Sequence, residues 1–204
     1  SAEIILSITD LKPIALLSPE SDCHINDVAV EISLKNLSDY SIDSGRNIPL
    51  GYSVEGNVVK DTMTLTEPLP TEGTTEYTFD EKVSVAGEGM HTIQYFINYQ
   101  ADLIPSNDTL NHQVEVYGDA DVDLGADTLV TEEDEYMLSA GMQFISYEWQ
   151  DGAATRTYLV ESSGTYSVTV EDTLNCMGSD TIVIYLDSTE TAIGEPIATE
   201  NYNI

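Results

Sequence analysis

The sequence predicts an all-β protein of two tandem immunoglobulin-like β-sandwich domains, and three observations carry that expectation. Apolar residues recur with a period of two, the spacing of strands that bury one face. Clusters of turn-forming residues separate these runs at short intervals. No segment sustains the i, i+3, i+4 apolar spacing that a helix needs to bury a stripe.

At 204 residues the chain accommodates two sandwiches of about 100 residues or fewer each. Hydrophobic residues make up 41 % and include 12 Tyr, more apolar material than a disordered chain carries. In the first part, strands are expected over 4–9, 27–36, 49–55, 58–65, 74–80, 90–100 and 109–117. In 27–36, Val28, Val30, Ile32 and Leu34 alternate with Ala29, Glu31, Ser33 and Lys35. In 90–100, Ile93, Tyr95, Ile97 and Tyr99 alternate with Thr92, Gln94 and Asn98. Gly56-Asn57 between two such runs reads as a two-residue hairpin turn.

The pattern pauses at Tyr117-Gly118-Asp119, so domains are expected over 1–118 and 119–186. The second should hold strands over 121–124, 135–139, 144–150, 155–160, 164–171 and 179–186, with Tyr166, Val168 and Val170 pointing inward. Trp149, the single Trp, reads as the plug around which two sheets pack, in preference to a platform for stacking a sugar. From 187 to 204 alternation ceases, as in a linker.

The formal net charge is −31. Acidic residues outnumber basic ones 19 to 5 up to Gly118 and 18 to 1 after it, so the acidity is general. Lys and Arg facing phosphates drive nucleic-acid binding, so that partner class is excluded, and anionic membrane surfaces are repelled on the same ground. No run approaches the ~18 apolar residues of a membrane helix, and no basic-then-apolar leader opens the sequence.

Catalysis requires convergent groups, and the inventory is thin. His24 adjoins Cys23, but neighbours along a strand face opposite ways, which argues against a thiol–imidazole pair. His91 and His112 lie one to a strand at polar positions and are expected to be exposed. Neither a nucleophile elbow, a phosphate-cradling loop nor a zinc-protease motif is present. Acidic pairs are too common for any one to suggest a glycosidase. No enzymatic activity is expected.

One acidic group invites a cation. Asp119, Asp121 and Asp123 alternate, with Asp127 just beyond, and on an extended segment alternate side chains share a face. Calcium takes six to eight oxygens, often carboxylates. The spacing is not that of an EF-hand, and Val122 and Leu124 give the same segment the look of an ordinary first strand. A calcium site and a plain strand therefore both stand. The run 132–135 reads as a solvated turn.

Several motifs resemble known families. Asp-Leu-Gly-Ala-Asp-Thr (123–128), Tyr-Met-Leu-Ser-Ala-Gly (136–141), Ser-Tyr-Glu-Trp-Gln-Asp-Gly (146–152), Gly-Thr-Tyr-Ser-Val-Thr-Val-Glu-Asp (164–172) and Asn-Cys-Met-Gly-Ser-Asp-Thr-Ile (175–182) are similar to the PKD/Ig-like repeats of gliding-associated surface proteins of Bacteroidetes-type bacteria. That family commonly pairs the cysteine aligned with Cys176 to one shortly after the Asp-Thr motif. Thr131 stands there in this chain, so the resemblance implies an unpaired Cys176.

Ser-Pro-Glu-Ser-Asp-Cys (18–23), Val-Ala-Val-Glu-Ile-Ser-Leu-Lys-Asn (28–36), Ile-Pro-Leu-Gly-Tyr-Ser-Val (48–54) and Ser-Asn-Asp-Thr-Leu (106–110) resemble the CARDB class, cell-adhesion-related bacterial Ig-like domains. Asn107-Asp108 would cap backbone groups of the turn before the final strand. Ala-Thr-Glu-Asn-Tyr-Asn-Ile (198–204) is similar to the linker before a type IX secretion sorting domain.

Together the resemblances imply a non-catalytic stalk or adhesive fragment of a secreted or outer-surface bacterial protein. Its partners would be other domains of the same polypeptide and a cell-surface or matrix protein or glycan. One alternative is a carbohydrate-binding accessory module of a secreted hydrolase, with Tyr147 and Tyr158 as exposed contact residues. Self-assembly through a sheet edge is another.

Overall fold

The computed structural model describes residues 7–187, and every helix or strand among them is a strand. The all-β, immunoglobulin-like expectation holds. Among the described residues no helix is long and apolar enough to cross a membrane. The chain divides into two compact units, Ser1–Gly118 and Asp119–Ile204. The expected linker and the resemblance over 198–204 lie outside the described residues, apart from Asp187.

In the first unit, β1 (Leu11–Ser18) and β3 (Glu31–Asn36) run antiparallel, and β6 (Thr74–Thr78) completes that sheet. A second sheet has β5 (Asn57–Thr64), β4 (Asn47–Val54), β8 (Gly89–Ile97) and β9 (Thr109–Val116) in that spatial order. β2 (Ile25–Val28) pairs with β7 (Val83–Val85). One core joins the layers, with Leu11, Ile32 and Leu34 from the first sheet and Leu50, Tyr52, Ile93, Tyr95 and Val114 from the second. The alternation read in 90–100 is what buries Ile93, Tyr95 and Ile97.

Three features of this unit differ from the sequence reading. Of the expected strand 4–9, Thr9 is described in a strand contact, a parallel bridge to Asp102, and the principal first strand is β1. Its register shifts between Pro13 and Ala15 and again between Leu16 and Ser18. Each irregularity resets the side-chain phase, so no period of two survives to be read. The expected strand 27–36 is broken, because Asp27 adopts φ 53° and the chain leaves the β2–β7 ladder before joining β1 and β6. The hairpin turn is centred on Glu55-Gly56, at φ 51° and 84°, closed by Val54 opposite Asn57. Both central residues have positive φ, as a twist-matched two-residue turn requires. The expected turn was one residue late.

The free edge of β9 is covered in part. Asp22 bridges Val116 in parallel, its N–H donates to the Glu115 carbonyl at 3.1 Å, and Ser21 Oγ accepts from Glu115 N at 2.9 Å. Covered edges resist pairing with other chains.

In the second unit, β10 (Thr128–Thr131), β15 (Met177–Leu186), β14 (Gly164–Glu171) and β12 (Ser146–Trp149) form one sheet in that spatial order. β11 (Tyr136–Ser139) and β13 (Thr157–Val160) form the other ladder. Trp149 is 2 % exposed and packs with Leu138, Val160, Tyr166, Val168 and Ile184. The first strand differs from expectation: residues 121–124 are not a regular strand, and β10 instead pairs parallel to β15. The 120–124 segment is held by single bonds, Ala120 N to Met177 O at 3.2 Å and Leu124 N to Asp180 Oδ2 at 2.6 Å. A side-chain acceptor there takes the place of a ladder partner.

Candidate functional site

The four aspartates singled out by spacing are all exposed, while Ala120, Val122 and Leu124 between them pack toward the core of the second unit. The alternation is thus accounted for by burial of the apolar residues. Asp123 Oδ1 accepts from Gly125 N at 2.7 Å, forming a local turn. Among the described residues, no group of three or more His, Cys, Asp or Glu side chains is placed to hold a metal ion.

His112 and His24 are exposed. The expectation of an exposed His91 is corrected: its side chain is 13 % exposed, with Nδ1 2.8 Å from Glu55 Oε1 and Nε2 3.0 Å from the Gly87 carbonyl. The hairpin carrying Glu55 brings that carboxylate to β8, a contact that depends on cross-strand register. The expected unpaired Cys176 is also overturned. Cys23 and Cys176 are both disulfide-bonded, and no described cysteine is free. Disulfides need Cα atoms some 4–7 Å apart and impose no sequence spacing, so Thr131 at the familiar partner position decided nothing.

Tyr147 and Tyr158, expected to be exposed contact residues, are half-buried and engaged. Tyr147 donates to the Gly141 carbonyl at 3.0 Å and meets Phe144 edge-on. Tyr158 donates to Asp151 Oδ2 at 2.9 Å, and its ring lies 5.0 Å from Trp149 and 5.6 Å from Tyr166. The Ala153 N–H and the Tyr158 hydroxyl hold the Asp151 carboxyl below its ordinary range. Trp149 Nε1 donates to the Thr155 carbonyl at 2.7 Å.

A polar cluster that the sequence reading missed lies in the first unit, where the start of β1, the end of β3 and the loop from β8 to β9 meet. Asp102 Oδ2 accepts from Leu11 N at 2.6 Å and its Oδ1 from Ile104 N at 2.7 Å, so both oxygens are spent on backbone. Asn107 Nδ2 donates to Asp10 Oδ1 at 2.9 Å. Ser38 Oγ accepts from Asp10 N at 2.9 Å, and Thr9 Oγ1 bonds the Tyr40 hydroxyl. Asn36, fully buried, donates to the Tyr40 and Leu69 carbonyls and accepts from Ser38 N.

Asp108 is the anomaly in this cluster. It is 8 % exposed, and its Oδ1 is buried without a partner, as is the Oδ1 of Asn107. The expected capping role of this pair in the turn is replaced, for Asn107, by a bond to Asp10. Burial, with the charges of Asp102 and Asp10 added, pushes the Asp108 carboxyl up to about 6 from 3.8. With 37 acidic residues in the chain, no spacing marked Asp10, Asp102 and Asp108 as neighbours. Only the loop path brings them together.

The sign of the resulting pH dependence follows. Between pH 3.8 and about 6 the folded state holds the proton and the unfolded state releases it, so stability falls as pH rises through that window. With divalent cations removed, Asp108→Asn is expected to stabilise the chain at pH 7.5 by about 1–3 kcal/mol, the range for relieving a buried unsatisfied group. That advantage should shrink toward zero near pH 4. Urea unfolding of both forms across pH 4–8 measures it, and an advantage independent of pH would contradict the assignment.

An open groove of about 470 Å³ lies beside the β6 strand, lined by Met63, Leu65, Pro68, Thr75 and Tyr77.

No family model matches the chain, and no curated protein matches it. Among solved structures, the chain is similar to the CARDB domain of a Pyrococcus furiosus protein, solved in complex with di-metal ions. That likeness has 16 % identity and a TM-score of 0.41, covering 56 % of this chain and 93 % of that one. It is also similar to the DIP-gamma IG1+IG2 structure, at 12 % identity and TM-score 0.38, covering 87 % and 97 %. A third likeness is to the fibronectin(III)-like modules of Clostridium thermocellum CbhA, at 10 % identity and TM-score 0.29, covering 84 % and 93 %. At these scores the likenesses carry no functional argument.

Proposed function

We propose that the chain is a non-catalytic structural or adhesive part of a secreted or cell-surface bacterial protein, in which CARDB-like and PKD/Ig-like modules serve as a stalk. The observation that carries this reading is how the aromatic residues are used. Trp149, Tyr147, Tyr158 and Tyr166 each spend a ring face on core packing and a polar atom on a backbone or turn partner. A sugar platform needs flat aromatic faces turned to solvent; here those faces are committed to holding sheets together.

The uniformly acidic surface supports the same reading, since a high like charge keeps a protein soluble and discourages association. In this proposal the partners are further domains of the same polypeptide and a surface or matrix protein, and export follows the type IX route that the 198–204 motif suggests.

Affinity electrophoresis in gels containing soluble polysaccharides tests the site. Wild type, Tyr147→Ala and Tyr158→Ala are expected to migrate alike, and Tyr158→Ala to melt lower because its ring supports Trp149. Retardation of wild type that either variant abolishes would establish the carbohydrate-binding reading instead. Labelling of intact cells with an antibody to the chain tests the location, and signal confined to lysed cells would overturn it.

A further inference from the structure

We propose that Asp108, Asn107 and Asp10 form a binding site for a calcium-class divalent cation at the end of the first unit, independent of the Asp119–Asp127 segment. The orientation of Asn107 is fixed by chemistry. Asp10 Oδ1, as a carboxylate oxygen, can only accept, so the atom facing it at 2.9 Å is the amide nitrogen of Asn107. The amide oxygen is therefore the atom left buried without a partner.

Asp108 Oδ1 is likewise buried without a partner, on a residue more than nine-tenths buried. Two inward-facing acceptors on adjacent residues with nothing to accept from are costly in a protein interior. The charges acting on Asp108 are those of Asp102 and Asp10, both negative. A bound cation would give both orphan oxygens a partner and offset the negative charges gathered there.

The donors set the class of ion. All are oxygens, from two carboxylates and one amide, which suits hard cations and not zinc or copper. Asp102 adds charge, and each of its oxygens already accepts a backbone N–H. Two coordinating carboxylates agree with the finding that no described group of three His, Cys, Asp or Glu side chains is placed to hold a metal. The ligands come from loop positions, an arrangement that calcium's irregular six-to-eight coordination tolerates better than the strict octahedron of magnesium. So few protein ligands place the affinity in the range of extracellular calcium modules, roughly 0.1–1 mM.

The test is thermal melting of the full chain at pH 7.5 in EDTA, in 5 mM CaCl2 and in 5 mM MgCl2, all at equal ionic strength. Calcium is expected to raise Tm by roughly 3–8 °C over magnesium, as mass action predicts at several times Kd. Asp108→Asn should abolish that increment, and the triple variant D119N/D121N/D123N should retain it. Tb³⁺ luminescence excited through tyrosine reads binding without reference to stability, because the Tyr40 hydroxyl bonds Thr9, next to Asp10. It should appear with wild type and be lost in Asp108→Asn. Equal effects of calcium and magnesium together with no Tb³⁺ signal, or an increment that survives Asp108→Asn, would overturn the site. Loss in the triple variant alone would move the cation to the other segment and overturn it equally.

Discussion

Trp149→Ala is expected to remove about 3–5 kcal/mol from the second unit, which is most of the stability of a domain this small. The side chain is 2 % exposed and sits where both layers meet, touching strands from each. Its removal leaves a cavity that the surrounding close-packed side chains fill only in part. Truncation also strands two partners. The Thr155 carbonyl loses the indole N–H at 2.7 Å, and Tyr158 loses the ring 5.0 Å away.

Trp149→Phe separates these contributions, since it keeps a ring in the core and gives up only the donor and part of the volume. A cost of about 1–3 kcal/mol is expected for it, as for a buried acceptor left unmade. Urea unfolding with hydrogen exchange across 144–186 measures both variants. Protection in Trp149→Ala equal to wild type would show that Trp149 is peripheral.

Gly178→Ala is the second large effect, and it arises from backbone rather than side-chain packing. A Cβ at Gly178 would lie 1.8 Å from the Ala120 carbonyl oxygen and 2.7 Å from its carbon. Backbone cannot swing aside as a side-chain tip can, so the 120–124 segment must lift away from β15. The Ala120 N to Met177 O bond at 3.2 Å goes with it. A loss of about 2–3 kcal/mol is expected, at the upper end of overpacking costs, with faster exchange at Ala120, Val122 and Leu124. Gly164→Ala is the control: its Cβ would meet the Tyr166 ring at 3.6 Å, an ordinary contact, and a change within about 0.5 kcal/mol is expected. Equal effects of the two alanines would show that the segment does not depend on that close approach.

Cation binding and pH meet at Asp108, and the two experiments constrain each other. A buried carboxylate facing two others destabilises the folded unit at neutral pH when nothing occupies the site. Protonation relieves that cost, and so would a divalent ion. The Asp108→Asn chain should therefore be the more stable one in EDTA and the less responsive one in calcium.

The sequence by itself determined the strand class, the inward residues and the place of Trp149. Each follows from side chains alternating across a pleated strand, a local property that burial stamps on the residue order. Strands β4, β8 and β14 were legible because their inward residues alternate within runs of eight or nine residues. β1 was hidden by two register shifts and β7 by its length of three residues.

What only the tertiary structure decided was which distant groups meet. The disulfide state of Cys176, the contact of His91 with Glu55 and the close approach behind Gly178 all depend on chain path. Asp108 is the sharpest case. Its own stretch of sequence reads as an ordinary turn before a strand, and so does that of Asp10. Their significance lies in a loop folding a carboxylate inward against two others, and in an Asn whose bond to Asp10 turns its oxygen inward too. Alternation is written in neighbouring residues, whereas the field at a buried oxygen is summed over whatever the fold brings near it.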